Sequence, residues 1–437
     1  MRLMSHHTTS DGGRMGRTRA AVSVFAAGTA LVLAAATGCT AGHQKPTLTV
    51  WIMAGTHPDA SAYFADANAA FTESTGADVT VEFIPWGDAH DKFITAIAGN
   101  TAPDVAEVGT TWTPEFAAVG ALADLGDMGW HPGAHVPGLV EAGTVDGRLY
   151  GVPWHVAVRA VLYRTDVFED LGLEPPRTWA QLRKVARTIA DRRPELTAFP
   201  VAGGAEYPLL SFIWGAGGEI ALQNPDGTWT SGLDSPEARE GIAFLTGLAR
   251  HDGVSSTGAV TWQETDVQDN FTDERVAMAV LGSWAPKAIL AANPDLRGRL
   301  AAFPIPGRDG GYSPSFLGGS HLSIFEGSRE PDLARRYVQL LTGDEYGPRW
   351  AQETDYFPGR TDQLAAFTGS TDPLVGPFAV QLSEAGKGLP VTPAYGRVQG
   401  RKILTAMAQA ILSGEDDVEG ASTTAADRVT QTLNEDS

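Results

Sequence analysis

The chain has 437 residues, 43% hydrophobic and 19% charged, so it is long enough for two or three domains and too apolar to be disordered. Its 52 acidic and 32 basic residues give a formal net charge of −20, which disfavours nucleic acid and anionic lipid headgroups as partners. The single cysteine excludes an intrachain disulfide and a cysteine-rich zinc site.

Residues 1–38 have the pattern of a secretory signal peptide. Three arginines between positions 14 and 19 precede an almost wholly apolar stretch at 20–36, and small residues follow it. No later stretch approaches the roughly 18 apolar residues that a membrane helix needs. The sequence therefore predicts an acidic body outside the cytoplasmic membrane.

The run Ala36-Thr37-Gly38-Cys39 resembles the bacterial lipobox, whose cysteine receives a diacylglyceryl group. Ala36 departs from this motif, which usually has leucine there. The resemblance implies that Cys39 becomes the lipidated N-terminus, that residues 39–46 form a short tether, and that two acyl chains hold the protein at the membrane. A plain signal peptide or an uncleaved anchor helix is the alternative.

Strands and helices alternate from residue 47 onward. We predict, in order, a buried strand at 47–53, a helix at 60–74, a strand at 79–84, a helix from 88 to 99 and a strand at 105–109. Short loops in a β-α-β-α-β order indicate a parallel, doubly wound sheet. Because ligands bind beyond the carboxyl ends of such strands, residues 53–57, 85–88 and 109–112 are candidates for a binding site.

The middle of the chain predicts a second α/β lobe. It contains a long apolar segment at 151–163, a helix that begins at a capping box of Thr178 and Gln181, and a strand at 276–281. Residues 304–314 are rich in proline and glycine, a further strand is expected at 316–325, and residues 359–437 show mostly helical patterns. We expect the chain to cross between the two lobes at 150–160 and at 303–316.

An ordered series of segments resembles the bacterial extracellular solute-binding proteins of ABC sugar importers, the group that includes maltose-binding protein. No single segment is diagnostic, and the resemblance rests on their order and spacing from residue 48 to about 413. The segments are LTVW (48–51), AIAGNTAPDVAEVG (96–109), GALADL (120–125), YGVPW (150–154), LYRTDVFEDLGLEPPRTWAQL (162–182), FTDERVAMAVLGSW (271–284), FLGGSHLSIF (316–325) and TPAYGRV (392–398).

This resemblance implies a periplasmic-binding-protein-like α/β fold, with two doubly wound lobes, a multi-strand hinge and a ligand cleft between the lobes. The expected boundaries are 47–155 with 315–360 for lobe 1, 156–303 with 361–437 for lobe 2, and 304–314 for a hinge crossing. It further implies a monomeric, non-catalytic lipoprotein that captures a mono- or oligosaccharide and delivers it to the transmembrane subunits of an ABC permease. No cofactor and no metal are expected.

Aromatic faces cover the C–H patches of a sugar ring, and fixed polar groups bind its hydroxyls. Trp284, Tyr395 and, more loosely, Tyr207 match aromatic cleft positions of the family, whereas Met53 and Gly55 argue against maltose itself. The other candidates lie beside these segments, at strand exits or at the predicted crossings. The ligand-binding residues that we expect are Trp284, Tyr395, Tyr207, Trp214, Trp154, Trp112, Thr111, His57, Arg159 and Ser320.

Two other functions stay open at this point. A secreted glycoside hydrolase needs two carboxylates about the scissile bond, and Glu264 with Asp266 is a candidate pair that no spacing marks as acid and base. The motifs HExxH, GxSxG, GxxxxGK[ST] and CxxC are absent from the sequence. A binder of a non-sugar solute such as a glycerol phosphate is the second alternative. Arg159 either binds an acidic ligand or pairs with an acidic neighbour.

Overall fold

The computed structural model describes residues 45–126, 128 and 130–435. The predicted signal peptide, Cys39 and nearly all of the predicted tether lie outside these residues. Within the described part, no helix has both the length and the apolar character needed to cross a membrane.

The described chain contains fifteen strands and seventeen α-helices. The strands are β1 (Thr47–Ala54), β2 (Asp78–Pro85), β3 (Val105–Gly109), β4 (Thr144–Val145), β5 (Arg148–Leu149), β6 (Val152–Ala157), β7 (Arg159–Arg164), β8 (Ala221–Gln223), β9 (Trp229–Ser231), β10 (Met278–Gly282), β11 (Leu300–Phe303), β12 (Ser315–Phe316), β13 (Gly318–Ile324), β14 (Phe357–Pro358) and β15 (Gly386–Lys387). The helices are α1 (Ser61–Thr75), α2 (Trp86–Ala98), α3 (Thr113–Ala118), α4 (Pro137–Ala142), α5 (Thr165–Leu171), α6 (Trp179–Arg192), α7 (Glu206–Gly215), α8 (Pro236–Arg250), α9 (Glu264–Thr272), α10 (Ala285–Ala292), α11 (Pro331–Thr342), α12 (Tyr346–Thr354), α13 (Thr361–Leu364), α14 (Gly376–Ala385), α15 (Pro393–Gly400), α16 (Ile403–Ser413) and α17 (Val418–Leu433).

The first lobe is built on a six-stranded mixed sheet with the order β14-β6-β13-β3-β1-β2. β1 pairs in parallel with β2 and β3, so the predicted β-α-β-α-β unit is confirmed. β13 is antiparallel to β3 and to β6, which makes the sheet mixed. Side chains alternate along β1: Leu48, Val50 and Ile52 face the core under α1, while Trp51 and Met53 face the core under α2.

The second lobe contains a three-stranded antiparallel sheet in the order β10-β7-β11. Helices α6, α7, α8, α16 and α17 supply most of the core that surrounds it. α6 begins where the capping residues predict, since the Thr178 hydroxyl accepts a hydrogen bond from the Gln181 amide at 3.2 Å. The Gln181 side chain, however, accepts from the Arg177 amide rather than from Thr178.

The chain passes between the two sheets three times. Val158 alone separates β6 in the first sheet from β7 in the second. The second passage, at 304–317, joins β11 to β13, and the third, at 359–375, joins β14 to α14, whose Gln381 accepts a hydrogen bond from the Ile305 amide. The lobe boundaries given above stay a prediction.

Candidate ligand-binding cleft

Arg159 lies at the start of β7, immediately after the first passage, and its side chain is enclosed by aromatic rings. Its guanidinium carbon is 4.2 Å from the ring centroid of Tyr207, 5.0 Å from that of Trp284 and 5.7 Å from that of Phe316. Its Nε and Nη2 donate to Glu264 at 3.1 and 2.9 Å. Of the two alternatives for this arginine, the structure therefore contains the ion pair.

Tyr207, at the first turn of α7, contacts both Arg159 and a second polar group formed by Gln399 and Glu206. Its ring stacks on Phe316 with centroids 4.5 Å apart and 6° between the planes. Gln399 Nε2 donates to the Tyr207 hydroxyl at 3.1 Å and also to Glu206. Burial raises the pKa of the Glu206 carboxyl and of the Tyr207 and Tyr395 hydroxyls. Among the described residues, the Tyr395 hydroxyl has no hydrogen-bond partner.

Trp284 contacts the other lobe. It follows β10, is 5% exposed, and its ring centroid lies 5.2 Å from that of Tyr356, which immediately precedes β14. The Tyr356 hydroxyl is 2.8 Å from the Thr56 hydroxyl, and its ring stacks on His155 at 4.0 Å. Trp86 Nε1 also donates to Thr56 at 3.2 Å. The aromatic contacts that begin at Arg159 thus continue to the carboxyl ends of the first-lobe strands.

A buried carboxylate lies beneath this surface. Glu107 of β3 is 1% exposed and accepts hydrogen bonds from the Ser320 hydroxyl at 2.7 Å, from His155 Nε2 at 3.0 Å and from the Met53 amide at 2.9 Å. These donors come from β13, β6 and β1, so a single side chain ties four strands together. Burial lowers the pKa of His155, although Glu107 opposes this shift. Ser320 is 1% exposed, and its hydroxyl is engaged in this network.

The remaining first-lobe candidates lie along the same edge of the sheet. His57 has its two ring nitrogens 2.6 and 2.9 Å from the carbonyl oxygens of Pro58 and Met53. Trp154 is 4% exposed and stacks on Trp350 at 4.5 Å. Thr111 and Trp112 follow β3 and are half-buried, and the Trp112 ring lies 5.5 Å from that of Trp86.

Trp214 lies apart from the others. It is 5% exposed, belongs to the core around the second sheet, and contacts Lys387, whose Nζ is 5.3 Å from the ring centroid. The ten ligand-binding residues expected from the sequence did not include Tyr356, Gln399 or Glu206, and Trp86 was covered only by the strand-exit range 85–88. Gln399 follows the TPAYGRV segment by one residue and Glu206 precedes Tyr207, so proximity in sequence to recognised residues was an available signal for both.

At this surface the charged groups have partners, whereas several neutral polar atoms have none. Arg159 is paired with Glu264, and Glu107 and Glu206 accept hydrogen bonds. The buried polar atoms that have no partner within the described residues at this surface are all uncharged: Trp112 Nε1, Trp154 Nε1, His155 Nδ1, Ser283 Oγ, Tyr395 Oη and Gln399 Oε1. Such a surface can cover apolar faces of a ligand and exchange hydrogen bonds with neutral groups.

The two carboxylates considered for hydrolysis have other partners. Glu264 is paired with Arg159, and Asp266 accepts a hydrogen bond from the Gln263 amide at 2.7 Å, which caps α9. In the ranges that the structure describes, no group of three or more histidine, cysteine, aspartate or glutamate side chains is arranged to hold a metal ion.

The chain is similar to known proteins over most of its length. The family described as "Bacterial extracellular solute-binding protein" matches residues 54–348. The diacetylchitobiose binding protein DasA of Streptomyces coelicolor is 29% identical over 357 residues, which cover 77% of this chain and 82% of that protein.

Solved structures resemble the whole described body. An ABC transporter solute-binding protein from Thermotoga lettingae, bound with alpha-D-tagatose, has a TM-score of 0.79 and 28% identity, and the match covers 89% of this chain and 100% of that one. Maltose-bound MalE3 of T. maritima has a TM-score of 0.78 and 24% identity, with 89% and 100% covered. The predicted periplasmic-binding-protein-like fold is confirmed.

Proposed function

The chain belongs to the bacterial extracellular solute-binding proteins, and on that premise we propose that it captures a mono- or oligosaccharide between its lobes and delivers it to the permease of an ABC transporter. The similar proteins support a sugar as the ligand, since they bind diacetylchitobiose, alpha-D-tagatose and maltose. The ligand-binding residues proposed are the candidates above other than Trp214, whose ring lies in the core around the second sheet, joined by Trp86, Tyr356, Gln399 and Glu206.

One observation carries the choice of an uncharged sugar. The cleft surface combines aromatic rings with polar atoms that are unpartnered and neutral, while its arginine is already paired with Glu264. A phosphate or carboxylate ligand would have to compete with Glu264 for Arg159, and the desolvation of its own charge would add to that cost. A sugar requires neither, because its hydroxyls can bind Tyr395, Gln399 and the tryptophan Nε1–H groups.

A binding role without catalysis is also part of the proposal. Hydrolysis of a glycosidic bond needs two carboxyl groups free to act on the substrate. Glu264 and Asp266 are engaged by Arg159 and by the start of α9, which supports a protein that leaves its ligand intact. Incubation of the bound sugar with the protein for many hours, followed by chromatography, should show no cleavage products.

The cellular placement proposed is outside the cytoplasmic membrane. The description of the family supports an extracellular site of action. Cleavage after residue 38 and lipidation of Cys39 would anchor the monomeric body at the outer face of the membrane, close to the permease. Mass spectrometry of the N-terminal peptide from the native host would reveal a lipid on Cys39, and an unmodified cysteine would contradict the anchor.

Binding is tested by thermal shift with a panel of diacetylchitobiose, maltose, maltotriose, tagatose and arabino-oligosaccharides, with glycerol 3-phosphate as the charged comparison. A ligand that binds only the native state at 100 times its Kd stabilises the protein by about 2.7 kcal/mol, which is readily measured. We expect at least one neutral sugar to raise the melting temperature. Stabilisation by glycerol 3-phosphate with no response to any sugar would overturn the proposal.

A further inference from the structure

Helix α15 of the second lobe packs directly on α2 and α3 of the first lobe. Ala394, Tyr395 and Val398 of α15 belong to the core around the second sheet, whereas Phe93 and Phe116 of α2 and α3 belong to a core of the first sheet. The contact of α15 with α2 and α3 is therefore a contact between the lobes.

This contact adjoins the cleft on both sides. Thr111 and Trp112 immediately precede α3, and Tyr395 and Gln399 lie within α15. The position of α15 on α3 consequently sets the distance between the cleft residues of the two lobes.

The face of α15 that meets the first lobe carries two glycines, Gly396 and Gly400, four residues apart and so on the same side of the helix. A Cβ atom at 396 would lie 1.9 Å from Glu115 Oε2 and 3.2 Å from Glu115 Cβ. A Cβ atom at 400 would lie 2.9 Å from His90 Cε1. The backbone of α15 thus rests on these two side chains at a distance that only glycine permits.

Glu115 and His90 are held in place and cannot easily move aside. His90 Nε2 and Glu115 Oε2 are 2.9 Å apart, and Glu115 is 7% exposed. The His90 ring lies 5.9 Å from the ring of Phe116 and 5.4 Å from that of Trp112. Room for a methyl group at 396 must therefore come mainly from movement of α15 away from the first lobe.

The glycines are not required by the conformation of the helix itself. Neither Gly396 nor Gly400 is among the residues with positive φ, so alanine fits the backbone at both positions. Alanine is also the better helix former. Their place in the sequence is explained by the contact between the lobes and not by the local fold.

We propose that Gly396 and Gly400 are positioning residues for ligand capture. Their bare backbone lets α15 reach the His90–Glu115 pair when the cleft closes, and this contact brings Tyr395 and Gln399 to the ligand. The inference rests on the proposed function for its ligand measurements, but the contact itself can be tested without any ligand.

The contact is tested by a disulfide between Glu115→Cys and Gly396→Cys in a Cys39→Ser background. The Cβ atoms of these positions are 3.2 Å apart, slightly closer than the 3.5–4.5 Å of a disulfide, so small relaxation allows the bond. The matched control pairs Glu115→Cys with Gly388→Cys, because a Cβ atom at 388 has no neighbour within 4 Å. With diamide as oxidant, we expect only the first pair to crosslink. Failure of that pair, with and without the sugar panel, would overturn the proposal.

The role of the contact in capture is tested by Gly396→Ala, with Gly388→Ala as control. We expect the Kd for the sugars of the panel to rise about tenfold or more in the first variant, as overpacking of a tight contact predicts, with no loss of thermal stability in the ligand-free protein. Glu115→Ala in the Gly396→Ala background should recover part of the affinity by making room for the methyl group.

Unchanged affinity in Gly396→Ala would refute the positioning role, as would a loss of affinity that merely follows a loss of stability. If no sugar binds even the unaltered protein, the proposed function fails. The crosslink then still decides whether the lobes meet at α15.

Discussion

The substitution Glu264→Gln tests two roles of the ion pair between Glu264 and Arg159: stabilisation of the fold and exclusion of anionic ligands. Glu264 and Arg159 have side-chain exposures of 17% and 7%, and the closest nitrogen–oxygen distance is 2.9 Å. At an effective dielectric constant near 20, two unit charges at that separation attract by about 6 kcal/mol before desolvation is subtracted. Loss of one partner from a buried pair costs about 3–5 kcal/mol, because the other charge stays buried without compensation.

We expect the free energy of unfolding to fall by about 3 kcal/mol in Glu264→Gln, at the lower end of that range, since the amide oxygen keeps one acceptor for Arg159. The variant should also gain affinity for an acidic sugar such as glucuronate, whose carboxylate can replace the lost partner. Urea unfolding measures the first effect, and thermal shift with glucose and glucuronate measures the second.

Asp266→Asn is the matched control, because it makes the same charge change on the same helix at a residue that caps α9. We expect it to cost only about 1 kcal/mol, the usual value of a lost cap, and to leave ligand preference unchanged. Equal destabilisation by the two substitutions would refute the buried ion-pair reasoning. Equal binding of glucose and glucuronate by the unaltered protein would refute the claim that Glu264 excludes anions.

Three further predictions concern the cleft, the response to pH and the packing of the second lobe. Trp284→Ala should weaken sugar binding by about 2 kcal/mol in calorimetry, as for a buried aromatic contact, whereas Trp229→Ala, away from the cleft on β9, should leave Kd unchanged; equal affinities in the two variants would remove Trp284 from the site. Burial lowers the pKa of His321 to about 4, below the unfolded value of 6.5. Above pH 6.5 the imidazole is neutral in both the folded and the unfolded state, so its titration does not change stability. As the pH falls from 6.5 to 4, the unfolded state binds a proton that the folded state does not, and the protein loses about 3 kcal/mol of stability. Urea unfolding across this range should give a shallower decline in His321→Gln, and an unchanged slope would contradict the assignment. Gly241→Ala should lower the free energy of unfolding in urea by about 1–3 kcal/mol, although alanine has the better helix propensity. The reason is that a Cβ atom at 241 would lie 2.2 Å from the carbonyl oxygen of Phe212. A stabilised variant would show that α7 and α8 can separate at no cost.

Local patterns were sufficient for the first half of the first sheet and insufficient for the rest. β1, β2 and β3 follow one another with short connections, so their parallel order could be inferred from the chain direction alone. β14 has only the two residues Phe357 and Pro358, and it pairs with β6 about two hundred residues earlier in the chain. A two-residue strand has no periodicity, so its existence depends on a tertiary contact that the sequence does not reveal.

Tertiary contacts that the sequence does not reveal also explain which site residues were missed. Tyr356 was missed because its hydrogen-bond partner Thr56 is 300 residues away in sequence. Tyr207 and Trp214 are both on α7, seven residues and so nearly two turns apart, which places them on the same face but about 10 Å apart along the axis. The sequence could identify that face, whereas only the packing of α7 shows that Tyr207 meets Arg159 while Trp214 meets Lys387.

The direction of β1 determines how the body would hang from an anchor. Its eight residues run from Thr47 to the cleft edge at Ala54, a span of about 26 Å of extended chain. A lipid anchor attached through Cys39 would therefore pull on the end of the sheet opposite the ligand-binding cleft. The cleft would then be free to reorient above the membrane surface, unobstructed by the tether.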